Sequence, residues 1–121
     1  MPEPLISIID DDDSLRAALV GLVRSLGYKA SEFASAEEFL AAAPASACIV
    51  TDIQMPGISG IDLKNELVRK GDATPVIMIT ARAEPGLEQR ARASGASCFL
   101  RKPFEASDLV SCIESALART R

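Results

Sequence analysis

Five polar side chains whose types could support metal-assisted chemistry are widely separated along this chain. They are two adjacent acids, a distant acid, a hydroxyl and an amine: Asp10, Asp11, Asp52, Thr80 and Lys102. Carboxylates brought together repel one another unless a cation joins them, and a site of oxygen ligands suits Mg²⁺. Because the chain contains no histidine, its chemistry must use carboxylates, hydroxyls and lysine.

Asp52 is the residue best placed to react. It stands in the segment TDIQMPGISG, whose Pro56, Gly57 and Gly60 mark a loop. A carboxylate at such a position can attack phosphorus and form an acyl phosphate. Mg²⁺ would neutralise oxygens of the transferring group, while Lys102 would hold another oxygen and a threonine would supply a hydroxyl. Single threonines and lysines are usually caps or solvated groups, so the prediction depends on their joint placement.

The elements that must position these residues are apolar strands. Four runs are apolar on both faces, which is typical of parallel strands covered by helices on both sides: LISII (5–9), ACIVT (47–51), PVIMIT (75–80) and SCFL (97–100). A fifth run, YKASEF (28–33), alternates and carries two charges, which predicts an edge strand. The five polar residues stand at or just after the ends of the four apolar runs.

Helical patterns separate the strands. The predicted helices cover residues 15–26, 35–42, 59–70, 84–94 and 107–118. Gly27 is placed to stop the first helix, and Asp12 and Asp13 are predicted to cap its start. Ser35 and the residue three positions later have capping-box spacing. The 84–94 segment has Pro85 as its first helical residue and few apolar positions, which predicts a loosely packed helix.

The alternation of strand and helix predicts an α/β fold, with an open, doubly wound (βα)5 sheet and right-handed crossovers. In such sheets ligands bind outside the carboxyl ends of the strands, where the five polar residues are predicted to converge. The length of 121 residues favours one domain, covering 1–121. The formal net charge of -4 argues against direct nucleic-acid binding by this domain.

Cysteine usage and hydropathy suggest an intracellular protein. Cys48, Cys98 and Cys112 are widely spaced and odd in number, so buried free thiols are expected rather than a disulfide or a zinc site. No apolar stretch approaches the roughly 20 residues of a membrane helix, and the N-terminus does not read as a secretory leader. A cytoplasmic location without membrane association is the expectation.

These residues resemble the receiver domain of two-component response regulators, in the CheY-like superfamily, over essentially the whole chain. The likeness covers IIDDDD, VTDIQMPGISG, MITA and LRKPF, in that order. The segments SAEEFL and KPFE make the chain most similar to FixJ-type receivers. The resemblance implies the flavodoxin-like strand order 2-1-3-4-5.

The resemblance also implies a role for each site residue. Asp52 would accept a phosphoryl group from a sensor histidine kinase. The Mg²⁺ ligands would be Asp10, Asp11, Asp52 and the backbone carbonyl of Gln54. Thr80 and Lys102 would contact phosphoryl oxygens, and the peptide bond from Lys102 to Pro103 would be cis. Phe99 matches an aromatic switch position, although core packing explains a phenylalanine there equally well.

Signalling would follow from a shift of the output face. Phosphorylation would draw Thr80 inward and move the 84–94 helix together with strand 97–100, so that the surface from Glu84 through Ala118 becomes the output face. That face is also a possible site of phosphorylation-dependent dimerisation. The output would be transcription through an appended DNA-binding domain outside this chain. Alternatively, the chain is a stand-alone receiver that acts by protein–protein interaction.

Other classes of protein remain open. A phosphatase or mutase of the haloacid dehalogenase type also uses an aspartate nucleophile, but it normally needs a second aspartate two residues later, where this chain has Gln54. An interaction module with a vestigial pocket would not need all five polar residues. Because the protein is itself the acceptor, with self-catalysed phosphotransfer and dephosphorylation, it is not expected to be an enzyme.

Overall fold

Strands and helices alternate throughout the computed structural model, which describes residues 3–82 and 84–119. The strands are β1 (Leu5–Ile9), β2 (Lys29–Phe33), β3 (Cys48–Asp52), β4 (Val76–Thr80) and β5 (Cys98–Arg101). The helices are α1 (Asp13–Ser25), α2 (Ala36–Ala42), α3 (Gly60–Arg69), α4 (Leu87–Ala93) and α5 (Ala106–Arg119). Every predicted strand is present, and its bounds differ from the prediction by one residue at most.

All four strand pairs are parallel, and the sheet order is β2-β1-β3-β4-β5. The predicted doubly wound fold and strand order are therefore confirmed. The half-exposed β2 is an edge strand, as its alternating sequence predicted. In the register of the sheet Asp52 pairs with Ile79, and Thr80 pairs with Arg101. The polar ends of these strands consequently lie along one edge.

Helices cover both faces of the sheet, which explains why its central strands are apolar on both sides. One buried cluster joins the sheet to α1 and α5, through residues such as Leu19, Val23 and Ile113. The other joins it to α2, α3 and α4, through residues such as Phe39 and Leu63. β3 and β4 are fully buried, so the two layers hold the ends of these strands firmly in place.

The helix ends follow the predicted capping residues, with one exception. The Asp12 carboxylate accepts from the Leu15 N–H at the start of α1, and Gly27, at φ 91°, follows its end. Pro85 was predicted as the first residue of the fourth helix, and that prediction is wrong. Gly86 takes a left-handed conformation (φ 78°) that interrupts the helical path, so Pro85 lies in the preceding turn and α4 begins at Leu87.

The cysteines differ from the prediction. Cys98 in β5 and Cys112 in α5 form a disulfide, with their Cα atoms 6.0 Å apart. The expectation of three free thiols was wrong because sequence spacing does not reveal that α5 packs against β5. Cys48 is a buried free thiol, as expected. Within the described ranges, no helix is both long and apolar enough to cross a membrane.

Candidate functional site

Three carboxylates meet where β1 and β3 end side by side. One oxygen from each of Asp10, Asp11 and Asp52 lies within 4.8 Å of the others. The Asp10 and Asp52 residues are only 1% and 7% exposed, whereas Asp11 is exposed. The acids thus form a pocket with a buried floor and a rim open to solvent.

The Asp10 carboxylate is anchored on one oxygen only. Its Oδ1 accepts from the Asp12 N–H at 2.9 Å. Its Oδ2 is buried and, among the described residues, has no hydrogen-bond donor. Arg16 in α1 holds the backbone of the same residue, because its Nη1 donates to the Asp10 carbonyl at 2.7 Å. The sequence interpretation missed Arg16, and no motif marked it.

Lys102 supplies a positive charge to the pocket. Its Nζ lies 3.6 Å from Asp10 Oδ2 and 3.7 Å from Asp52 Oδ2. The backbone fixes this position from two sides: the Lys102 N–H donates to the Thr80 carbonyl at 2.8 Å, and the following bond to Pro103 is cis, as expected. Three carboxylates and one ammonium leave an excess of negative charge in the pocket.

Burial dominates the ionisation of the two inner acids. It raises the pKa of Asp52 from 3.8 to about 6; Lys102 lowers it, and the neighbouring Asp10 and Asp11 charges raise it further. Burial also raises the pKa of Asp10, against the lowering effects of the Asp12 N–H and Lys102. Keeping these two acids ionised in the folded protein therefore costs free energy, and a bound cation would remove that cost.

The Thr80 hydroxyl, at the end of β4, is engaged by a side chain from the loop after β3. It donates to Gln54 Oε1 at 2.5 Å and accepts from the Arg82 N–H at 3.1 Å. Gln54 Nε2 is buried and has no partner among the described residues. The side-chain contact between Gln54 and Thr80 was not foreseen from the sequence.

The end of β3, at Asp52, is packed tightly against the start of α3. A Cβ on Gly60 would lie 2.6 Å from the Asp52 carbonyl oxygen and 3.1 Å from Ile53 Cα. The Gly60 N–H donates to the Ile53 carbonyl at 3.0 Å, and Ser59 caps the helix in a capping box with Asp62. Only a residue without a side chain fits here, so Gly60 fixes the backbone beneath the pocket.

Phe99 lies beside the site rather than in it. It is partly buried and packs against the cluster that contains Leu87 and Ala91 of α4. The Arg101 guanidinium carbon lies 6.0 Å from its ring centroid. Core packing of Phe99 against α4 is thus observed, while its movement as a switch remains a prediction.

An open cleft leads to the pocket from the α4 side. Its volume is about 790 Å³, and its lining includes Asp11, Gln54 and Arg82. The cleft thus reaches the exposed acid of the pocket, Asp11, while Asp10 and Asp52 are buried beside it.

The donor set fits a small divalent cation. Oxygen ligands are the ones Mg²⁺ prefers, and the pocket offers three carboxylates. The particular observation in favour of a cation is the buried Asp10 Oδ2, which accepts no hydrogen bond among the described residues and has only the Lys102 ammonium near it, at 3.6 Å. One ammonium does not balance three carboxylates, so a cation would add the missing positive charge.

The fold and the site together define the general class of this protein. It is a doubly wound parallel α/β sheet with an acidic pocket at the carboxyl edge of β1 and β3. A family model described as the response regulator receiver domain matches residues 6–114. The chain therefore belongs to the receiver domain family of two-component response regulators. Receiver domains are in general phosphoacceptors rather than conventional enzymes, and they typically bind Mg²⁺ at an acidic pocket.

Individual relatives agree with this assignment. The chain is 40% identical over 123 residues to the transcriptional regulatory protein FixJ of Azorhizobium caulinodans, covering 99% of this chain and 58% of FixJ. It is 36% identical over 115 residues to the response regulator protein TodT of Pseudomonas putida, covering 93% of this chain and 51% of TodT. The crystal structure of FixJ-N superposes with a TM-score of 0.88 at 32% identity, covering 98% of this chain and 96% of that one. The chain thus spans little more than half the length of FixJ and TodT.

Proposed function

We propose that this receiver domain accepts a phosphoryl group on Asp52 from a sensor histidine kinase, in a Mg²⁺-dependent reaction. The observation that carries the proposal is the setting of Asp52. Its carboxylate lies within 4.8 Å of two other acids and 3.7 Å from the Lys102 ammonium, and one of those acids, Asp11, lines an open cleft. This is the combination that a carboxylate nucleophile toward phosphorus requires.

Each residue of the pocket has a part in the proposed reaction. An Asp52 carboxylate oxygen attacks phosphorus, and the bond from phosphorus to the donor breaks, which leaves an acyl phosphate on the protein. Lys102, already between two carboxylates, pairs with a phosphoryl oxygen as a point charge. Thr80 donates its hydroxyl to another phosphoryl oxygen once it leaves Gln54.

The proposed Mg²⁺ ligands are Asp10, Asp11, Asp52 and the backbone carbonyl of Gln54. When bound, the ion neutralises negative charge on the transferring group and lowers the repulsion among the acids. Arg16 holds the Asp10 backbone, and the oxygen offered to the ion is Asp10 Oδ2, which accepts no hydrogen bond among the described residues and lies 3.6 Å from the Lys102 ammonium. Because the protein is both acceptor and catalyst of the transfer, it turns over no external substrate.

The proposed output is a change in the face formed by α4, β5 and α5. α4 is short and buries only Leu87 and Ala91, and it lacks the side-chain cap that Ser35 gives to the equally short α2, so it is held less firmly than α2. Release of Thr80 from Gln54 would disturb the end of β4, next to β5, and Phe99 packs on α4. We propose that the chain is one part of a cytoplasmic transcription regulator, that its output domain lies outside it, and that this face also supports phosphorylation-dependent dimerisation.

Incubation with acetyl phosphate and Mg²⁺ tests the acceptor. The intact mass should rise by about 80 Da, the mass of one phosphoryl group. Asp52→Asn should take up none, while the matched Asp62→Asn, which alters an exposed acid of α3, should react like the parent. Chelation of the metal should abolish the gain. Equal labelling of Asp52→Asn and the parent would refute the assignment.

The output face is tested by amide NMR spectra with Mg²⁺ and beryllofluoride, a phosphoryl analogue. The proposal expects shift changes across residues 84–118 as well as at the acidic rim. Changes confined to the rim would leave Asp52 as the acceptor but contradict the proposed output face.

A further inference from the structure

Two of the three cysteines join the elements that carry the proposed output face. Cys98 is the first residue of β5, an edge strand, and Cys112 lies in the middle of α5. Their Cα separation of 6.0 Å is within the range that a disulfide requires. The bond therefore forms without moving the sheet or the helix.

The same two residues pack well as thiols. Cys112 belongs to the buried cluster between the sheet and α5, and Cys98 packs against that cluster while partly exposed to solvent. Each is flanked by apolar neighbours that do not depend on the crosslink, such as Leu109 and Ile113. The fold is thus compatible with both oxidation states of the pair.

Cys48 provides an internal contrast. It is fully buried in β3, and burial raises the pKa of its thiol to about 12. Since the thiolate is the reactive form, Cys48 is unreactive in the folded protein. Only Cys98 combines a nearby partner thiol with access to solvent, so an external reagent would meet Cys98 first.

We propose that Cys98 and Cys112 form a thiol–disulfide exchange site for small-molecule disulfides, which sets how tightly β5 is tied to α5. The Cys98 thiolate attacks one sulfur of a disulfide RSSR, forms a mixed disulfide and releases RS⁻. The Cys112 thiolate then attacks Cys98 Sγ, forms the protein disulfide and releases the second RS⁻. Two protein thiols are oxidised, one RSSR is reduced to two RSH, and a dithiol reverses the reaction.

The consequence for signalling rests on the proposed function. Cys98 precedes Phe99, and the end of β5 leads directly to Lys102. A covalent bond from β5 to α5 restrains the two elements that would have to move apart for the output face to change. The oxidised receiver should accept the phosphoryl group normally but respond less in β5 and α5.

Thiol counting tests the exchange site without reference to phosphorylation. The native protein is equilibrated with oxidised glutathione or dithiothreitol, the thiols are trapped with acid, and free thiols are counted in denaturant. We expect three thiols in the reduced protein and one after oxidation, with an intact-mass loss of about 2 Da, the two hydrogens removed. Cys48→Ser should undergo the same change, whereas Cys98→Ser and Cys112→Ser should not lose two thiols.

Thermal unfolding gives a second readout. Closure of a chain segment with sequence separation 14 should raise the Tm of oxidised Cys48→Ser by about 10 °C over its reduced form. Cys98→Ser should show the same Tm in both buffers. Retention of three thiols in oxidised glutathione, or accumulation of a stable mixed disulfide on Cys98, would overturn the proposal.

Beryllofluoride spectra separate this inference from the proposed function. With Mg²⁺, the reduced protein should show larger amide shifts in residues 97–118 than the oxidised protein, while the changes at the acidic rim should be the same in both. Equal responses in both states would overturn the control of the output face. The absence of any response in either state would overturn the proposed function, while the thiol count would still decide whether the exchange site exists.

Discussion

The raised pKa of Asp52 makes the stability of this fold sensitive to pH in a way that one substitution should remove. In the folded protein the pKa is about 6 instead of 3.8, chiefly because the carboxyl is buried. A folded-state pKa above the unfolded value means that the protonated acid stabilises the native state. That contribution is fully present below pH 3.8 and is lost as the pH rises through about 6.

The size of the effect follows from the shift. A change of about 2 pKa units corresponds to about 3 kcal/mol, at 1.36 kcal/mol per unit. The Asp52 side chain is only 10% exposed, so solvent screening reduces this figure little. The amide of Asp52→Asn does not ionise. In the absence of Mg²⁺, the free energy of unfolding of this variant should therefore rise by about 3 kcal/mol relative to that of the parent as the pH goes from acidic to neutral.

Urea unfolding in the presence of a chelator, at several pH values from about 4 to about 7.5, measures this difference. With a slope near 2 kcal/mol per molar, the midpoint of Asp52→Asn relative to that of the parent should rise by about 1.5 M urea over this range. Glu114→Gln, which changes an exposed acid of α5, should stay parallel to the parent. A difference that does not change with pH, or that shrinks as the pH rises, would refute the view that a buried carboxylate at Asp52 destabilises the apo fold.

Four further substitutions test the site and its framework. Gly60→Ala should destabilise the fold by about 1–3 kcal/mol in urea unfolding, because its Cβ would meet a backbone carbonyl at 2.6 Å. Gly21→Ala in α1, with nothing within 4 Å of the new Cβ, should stabilise the fold by about 0.5–1 kcal/mol. If Gly21→Ala lowered the stability more than Gly60→Ala, the packing described would be contradicted. Thr80→Val keeps the shape of the side chain and should lower the free energy of unfolding by about 1–3 kcal/mol, since Gln54 Oε1 loses its donor. An unchanged unfolding curve would show that this hydrogen bond contributes nothing to stability. Mg²⁺ at ten times its Kd should stabilise the parent by about 1.4 kcal/mol, and a Tm gain that persists in full in Asp10→Asn would place the ion elsewhere.

The sequence predicted those parts of the fold that local patterns determine. LISII and PVIMIT are apolar on both faces because helices cover both sides of the sheet, and this reading placed Asp10 and Thr80 at one edge. The site could be anticipated because parallel strands direct their carboxyl ends to the same side. The position of the fourth helix was less certain, since a left-handed glycine next to Pro85 leaves two possible starting points.

Contacts between distant side chains could not be predicted in the same way. The pairing of Cys98 with Cys112 depends on how α5 lies across β5, and sequence spacing carries no trace of it. The hydrogen bond from Thr80 to Gln54 joins the end of β4 to the loop after β3. Arg16 reaches back to the Asp10 carbonyl from the first turns of α1, and the apolar pattern of that helix predicts which residues face the core but not this contact. Each of these contacts is set by tertiary geometry rather than by a local preference.

The pocket is assembled from the ends of strands that are far apart in the order of synthesis. Asp10 and Asp52 leave the ribosome well before Lys102, whose ammonium lies between their carboxylates. The 50 residues from Asp52 to Lys102 take roughly 3 to 10 s to translate at ordinary elongation rates. A nascent chain halted in that interval carries the acids without Lys102 and without β5, so the pocket gains its counter-charge only after Lys102 has been added.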